Sequence, residues 1–309
     1  MPARPDDHSG NSCRLGNVVQ GTGPHGQGAQ HGGNARHGTL VPLLEAPCSS
    51  VTPGAITKSL LYLPFVKTLL VIPCLRERAR LPLFLPDLLG ALAARGGGVE
   101  VMIVDDGSGR EEQEWLAAYT CELQGVHPDL LRPLLLAENM GKGGAVYAGW
   151  AQAREGHSQL GFVDADGAVP PAEVARLCAL VPQDPDQALY AVRTGAEGTR
   201  VERHPARAVA GQFFRLLVKV LFGFPIPETQ CGCKFVPASA WRAVAAKLTE
   251  RRFCFDVDLT WHLLNEGTPI RAVPVNWQEI PGGQLRAASV LAMVRSLVKL
   301  RGQLGSWRS

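Results

Sequence analysis

The strongest constraint on this chain is a rhythm of short apolar runs separated by stretches with helical spacing. Thr68–Pro73 (TLLVIP), Val99–Val104 (VEVMIV) and Leu160–Val163 (LGFV) have strand length and few polar residues. Leu83–Ala94 repeats its apolar residues at helical intervals and stops at Gly96-Gly97-Gly98. The same pattern predicts a helix through Trp115, a third strand over Leu131–Leu136 and a helix from Lys142 to Arg154. Strands buried on both faces and joined by helices imply a mainly parallel, doubly wound sheet, so the expected class is α/β.

Ligands of such sheets bind beyond the carboxyl ends of the strands, at a topological switch point. Three polar clusters follow predicted strands: Pro73 to Glu77, Asp105 to Ser108, and Asp164 to Asp166. In Asp164-Ala165-Asp166, alternate residues leaving a strand point the same way, so both carboxylates can face one hard cation, Mg²⁺ or Mn²⁺. The same D-x-D-G string is also good turn chemistry leading to Pro170-Pro171. Asp105 and Asp106 can accept hydrogen bonds from a base or a ribose hydroxyl. Asn139–Gly144 is glycine-rich and opens a helix, where amides and Lys142 can meet phosphate or ribose. The P-loop spacing fails, and no G-x-G-x-x-G follows the first strand, which argues against a nicotinamide cofactor.

Composition narrows the alternatives. A formal net charge of +3 over 309 residues is too weak a field to point to nucleic acid. The apolar run around Leu69–Leu75 is far shorter than the roughly 20 residues of a membrane-spanning helix. Eight cysteines include one close pair, Cys231 and Cys233, spaced C-x-C without a second half, so reduced and mostly buried thiols in a cytoplasmic protein are expected rather than zinc. Residues 1–58 are dense in glycine, and His8, His25, His31 and His37 are half of all the histidines. So few apolar residues cannot offset the entropy of ordering. That stretch is expected to be a disordered tail, leaving 59–309 as one domain.

Taken together, Val71-Ile72-Pro73 with Glu77, Val104–Ser108, Gly141–Ala145 and Asp164–Ala168 resemble the family 2 glycosyltransferases of the GT-A fold. Glu228–Phe235, Phe255–Leu259 and Val275–Ile280 are similar to the dolichyl-phosphate β-glucosyltransferase branch, sister to the dolichyl-phosphate mannose synthases. The resemblance implies an inverting enzyme that takes a hexose, glucose above all, from a nucleoside-diphosphate sugar such as UDP-glucose and passes it to a polyprenyl phosphate. It implies that Pro73, Glu77, Asp105, Asp106, Lys142 and Asp164 surround the donor and that Asp164 and Asp166 bring a metal ion to its diphosphate. It places Arg193, Arg203 and Arg207 around the donor diphosphate and the acceptor phosphate. The chain departs from the family at P-C-L-R-E, where P-A-Y-N-E is usual, and at Gln284, which stands where the family has a lysine.

Two apolar stretches carry basic residues: Val209–Phe224 with Arg215 and Lys219, and Ala287–Arg301 with Arg295, Lys299 and Arg301. Basic amphipathic helices of this kind fit the cytoplasmic face of a membrane, and equally a protein core. A soluble acceptor with the same donor, or a silent sugar-nucleotide-binding protein, are the competing readings.

Overall fold

The structure, a computed structural model, describes residues 67–195, 198–202, 205–280 and 287–305. The expected tail, Arg203, Gln284 and Arg286 lie outside the described residues, and so does the side chain of Arg207.

The chain begins β1 (Lys67–Cys74), α1 (Leu81–Ala94), β2 (Val99–Asp105), α2 (Arg110–Gln124), β3 (Leu134–Leu135), α3 (Lys142–Trp150) and β4 (His157–Val163). It continues through α4 (Pro171–Leu180), β5 (Ala188–Val192), β6 (Val201–Glu202), α5 (Pro205–Phe222), β7 (Cys233–Pro237) and α6 (Ala238–Val244). It ends with α7 (Phe255–Asn265), β8 (Ile270–Pro274), β9 (Trp277–Gln278) and α8 (Ala287–Leu304). Seven strands form one sheet in the order β3-β2-β1-β4-β7-β5-β8. All neighbours are parallel except β7, which runs antiparallel to both β4 and β5. The carboxyl ends of β1, β2, β4 and β5 therefore share one edge, and β7 starts there, with Cys233 opposite Val163.

Each sheet face carries its own core. Ile72, Ile103, Val163 and Ala191 pack under α1 and α4, and Val71, Val104, Phe162 and Tyr190 pack under α3, α6 and α7. Each fully buried large apolar side chain stabilises the fold by about 1.5–3 kcal/mol. Trp150 is almost wholly enclosed and satisfies its indole N–H on the Gly161 carbonyl at 2.9 Å. A third cluster joins Phe214, Val218 and Phe222 of α5 to Leu297 and Leu300 of α8 and Val257 of α7.

Three elements differ from the sequence expectation. The third strand shrinks to Leu134–Leu135, because Pro133 has no N–H to give to the ladder on this edge strand. The helix expected to reach Arg154 ends at Trp150, where the Arg154 N–H turns onto His157 Nδ1. Strand β4 starts earlier than its apolar run, since buried His157 is bonded to Glu100 at 2.8 Å. The six cysteines among the described residues are free thiols, and all but Cys121 are buried, as expected.

Candidate active site

The ends of β1 and β2 are locked together first. Cys74 pairs with Asp105 in register, and the Asp106 N–H donates to the Cys74 carbonyl at 2.8 Å. Asp105 is buried, and its Oδ2 accepts from the Ser108 N–H at 3.0 Å and from Gln113 Nε2 at 2.8 Å. The Ser108 hydroxyl reaches across to the Arg76 N–H at 2.8 Å and holds that residue at φ 57°, a left-handed conformation uncommon outside glycine. Past the half-buried Pro73 and the buried Cys74, Glu77 is gripped by Arg80 through Nε–Oε2 at 2.7 Å and a second bond from the other guanidine arm. Burial pushes the Glu77 carboxyl up despite Arg80, and the charges of Asp166 and Asp164 push the same way.

Asp106 faces elsewhere. Its two oxygens accept from the Met140 N–H at 2.7 Å and the Gly141 N–H at 3.0 Å, so it braces the loop that opens α3. Burial raises its carboxyl, and the two amides offset part of that rise. The glycines of that loop also serve packing: a Cβ on Gly143 would lie 2.3 Å from Phe255 Cβ, and the Gly144 N–H is bonded to the Arg251 carbonyl at 2.8 Å. Lys142 is what the loop contributes to the site.

Asp164 leaves β4 with its N–H on the Gly232 carbonyl at 2.9 Å. A Cβ at position 232 would lie 2.0 Å from Asp164 Oδ2, so only glycine leaves room for this carboxylate. Lys142 Nζ sits 2.7 Å from Asp164 Oδ1 and 3.0 Å from Oδ2, with the rings of Phe162 and Phe255 at 5.6 and 5.9 Å. Burial alone would depress this ammonium, but Asp164 and Asp256 outweigh it and raise it. Behind it lies a buried pair, Lys234 Nζ to Asp256 Oδ1 at 2.6 Å, with the ammonium also bonded to the Cys231 carbonyl and flanked by Phe162 and Tyr190. Burial still holds the Asp256 carboxyl above its ordinary range.

Asp166 accepts from the Ala168 N–H at 3.0 Å through Oδ1. Burial, then the neighbouring Asp164 charge, raise its carboxyl. Glu77, Asp164 and Asp166 thus feel one another; the first is paired with Arg80 and the second with Lys142, while the third is bonded to an amide and feels both cations only at a distance. No group of three or more His, Cys, Asp or Glu side chains is arranged for a metal among the described residues. A hard divalent ion fits this donor set: two carboxylates, a deficit of positive charge at Asp166, and coordination positions left for ligand oxygens.

The second half of the site forms at the end of β5. The Arg193 N–H and Nε donate to Glu228 Oε2 and Oε1 at 2.7 and 3.0 Å, and Arg215 approaches Oε1 at 3.4 Å. The Arg193 guanidinium also lies 5.1 Å from the ring centre of Trp277. Burial would raise the Glu228 carboxyl, but the two arginines hold it below the ordinary glutamate range. Two guanidiniums around one carboxylate leave net positive charge beside a cavity of about 560 Å³ lined by Arg193, Thr194, Val201, Gln212, Arg215 and Glu228. Arg207 lies on the first half of α5, the helix that carries Arg215.

A two-strand ribbon of β6 and β9 ties the halves together. The Gln278 N–H donates to the Ala168 carbonyl at 3.0 Å, just past Asp166. Asn276 accepts from the Arg200 N–H and donates to Glu173, both at 2.8 Å. Sequence reasoning missed Arg80 as part of the site, carried Lys234 and Asn276 only inside motifs of the family resemblance, and left the helix of Arg215 open between a membrane face and the core. The i, i+3 spacing of Glu77 and Arg80 was the one local signal.

A doubly wound sheet with a D-x-D pair at the end of its fourth strand, and a basic cavity at the end of its fifth on the same sheet edge, is the arrangement of a GT-A glycosyltransferase. The glycosyl transferase family 2 model matches residues 69–241, and the chain belongs to that family. It is 32% identical over 267 residues to the dolichyl-phosphate β-glucosyltransferase of Drosophila melanogaster, covering 79% of this chain and 78% of that protein. The human enzyme of the same name is 31% identical, covering 77% of this chain and 76% of its own. The polyprenol monophosphomannose synthase of Mycolicibacterium smegmatis is 28% identical, covering 70% of this chain and 79% of that protein. Among solved structures, glucosyl-3-phosphoglycerate synthase of Mycobacterium tuberculosis, in complex with Mn²⁺, UDP and glucosyl-3-phosphoglycerate, shares the fold with a TM-score of 0.56. It is 15% identical, and the match covers 79% of this chain and 82% of that one.

Proposed function

We propose that this protein is an inverting hexosyltransferase that moves glucose from UDP-glucose to a polyprenyl phosphate. The observation that carries the reading is the pairing of the Asp164–Asp166 site with the Arg193–Glu228–Arg215 cluster across one sheet edge. The names of the relatives described above support the acceptor class. In this reading Glu77 and Asp105 bind the uridine and Asp164 and Asp166 hold Mg²⁺ or Mn²⁺. When bound, that ion would stabilise the charge developing on the departing diphosphate. A lipid phosphate is already anionic at neutral pH, so no strong general base is needed. Arg193 and Arg215 supply a positively charged seat for it, and bidentate guanidinium geometry suits phosphate oxygens.

Arg207 is proposed to serve the acceptor phosphate from the same helix. Arg207→Ala is expected to slow transfer to a short polyprenyl phosphate by about a hundredfold, as loss of a charge-stabilising donor does. UDP affinity should change far less. The assay pairs radiolabelled UDP-glucose with a polyprenyl phosphate in detergent and is run beside a UDP titration. Equal loss of both quantities would move Arg207 to the donor. Wild-type protein that ignores lipid phosphates yet glycosylates a soluble alcohol would establish the soluble-acceptor reading, which Gln284 in place of the usual lysine favours.

No helix among the described residues is long and apolar enough to cross a membrane. We infer a surface contact instead. Phe213, Leu216 and Val220 of α5 and Leu291 and Val298 of α8 are exposed, while the opposite faces of both helices are packed together. Lys219, Arg295 and Lys299 accompany them, a combination suited to an anionic bilayer interface. Leu216→Glu with Val220→Glu should release most of the protein from anionic vesicles in a sedimentation assay without lowering its melting temperature. Undiminished sedimentation would sink this contact.

A further inference from the structure

We propose that Lys142 is the resident counter-cation of Asp164: it competes with the divalent ion for that carboxylate and turns to the donor diphosphate once the ion has bound. The inference builds on the donor-site reading given above and adds an order of events to it. The Lys142 ammonium is within 3.0 Å of both Asp164 oxygens, a position that faces the same carboxylate a metal would use. Asp164 is held close to Gly232, where a Cβ would lie 2.0 Å from Oδ2, and its N–H is tied to the Gly232 carbonyl, so its backbone stays in place. Lys142 is the more adaptable partner. Its ammonium lies over the rings of Phe162 and Phe255, which attract a cation without fixing it at one position. Its anchor, the start of α3, is held by Asp106 and by the Arg251 carbonyl, so the backbone stays in place while the side chain swings. Lys234 is already engaged with Asp256 and the Cys231 carbonyl, which leaves Lys142 as the cation available to move.

The test is calorimetric titration of Mn²⁺ alone, and then of UDP in the presence of Mn²⁺, into wild-type protein and the Lys142→Met and Lys142→Arg variants. Removing a unit charge a few ångströms from the metal position should tighten Mn²⁺ alone by about tenfold or more at the effective dielectric of a partly exposed site. The same Lys142→Met protein should bind UDP more weakly in saturating Mn²⁺, because the charge handed to the diphosphate is gone. Lys142→Arg should keep the wild-type Mn²⁺ affinity. Lys142→Gln is read in the same way should the methionine variant fail to fold. Unchanged or weaker Mn²⁺ binding in the neutral variants overturns the proposal while leaving the donor site intact. Wild-type protein that binds UDP equally with and without Mn²⁺ overturns the donor-site reading and this proposal together.

Discussion

Replacing Asp166 by asparagine is expected to weaken Mn²⁺-dependent UDP binding by about a hundredfold, the upper range for loss of even an indirect support of a metal site. The protein should melt no lower than wild type. Asparagine keeps an oxygen for the Ala168 N–H, so the turn after β4 is retained. It also removes a carboxylate that burial and Asp164 both disfavour in its charged form. Function and stability thus part company at this residue. Calorimetry with Mn²⁺ and UDP reads the first quantity and a thermal melt the second. Wild-type affinity in the variant would remove Asp166 from the donor site, and a large fall in melting temperature would make its role structural.

Glu228→Gln carries the opposite signature. Glu228 is buried and holds Arg193 through its backbone and side chain, with Arg215 alongside. Removing one member of a buried ion pair strands the others and costs about 3–5 kcal/mol. In a protein of this size that lowers the melting temperature by about 10 °C. Two facing guanidiniums without their carboxylate will also part, so transfer should fall together with stability. Inorganic phosphate or an added phosphate ester should restore part of the lost melting temperature by replacing the missing negative charge. A variant that melts like wild type would show that the pair is solvated and not an organiser of the cavity.

Much of the sheet edge proposed to hold the donor was legible because its parts are local. Apolar runs buried on both faces gave β1, β2 and β4, and the carboxylates at their ends converge as the strand order requires. Asp106 illustrates the limit. Adjacent residues at a strand end face opposite sides, so one of Asp105 and Asp106 had to turn from the other's partners, and the bonds to Met140 and Gly141 decide which. Arg215 meets a related limit. Its spacing from Lys219 fits a solvated helix face, and the inward pull comes from Glu228, which approaches from beyond the end of the helix. Lys234 sits in an apolar strand, and its partner Asp256 lies on α7, so neither had a neighbour in sequence to announce the pair. Asp256 and Asp258 do open a helix, but both are buried, and Asp258 accepts from the Thr249 and Glu250 amides.

The reversed strand β7 has a consequence for how such an enzyme can be altered. Because it enters the sheet between β4 and β5, the segment that leads into it meets Arg193 at Glu228 and Asp164 at Gly232 within a few residues. On the proposed assignment of donor and acceptor, a substitution along that segment is expected to affect both substrates, so acceptor preference is hard to tune there without disturbing the nucleotide. Helix α5 stands outside this bottleneck. It borders the cavity through Gln212 and Arg215, and Arg215 meets that segment only at Glu228 among the described pairs. New acceptor specificities should therefore arise on α5, and libraries aimed at them should leave residues 228–234 alone.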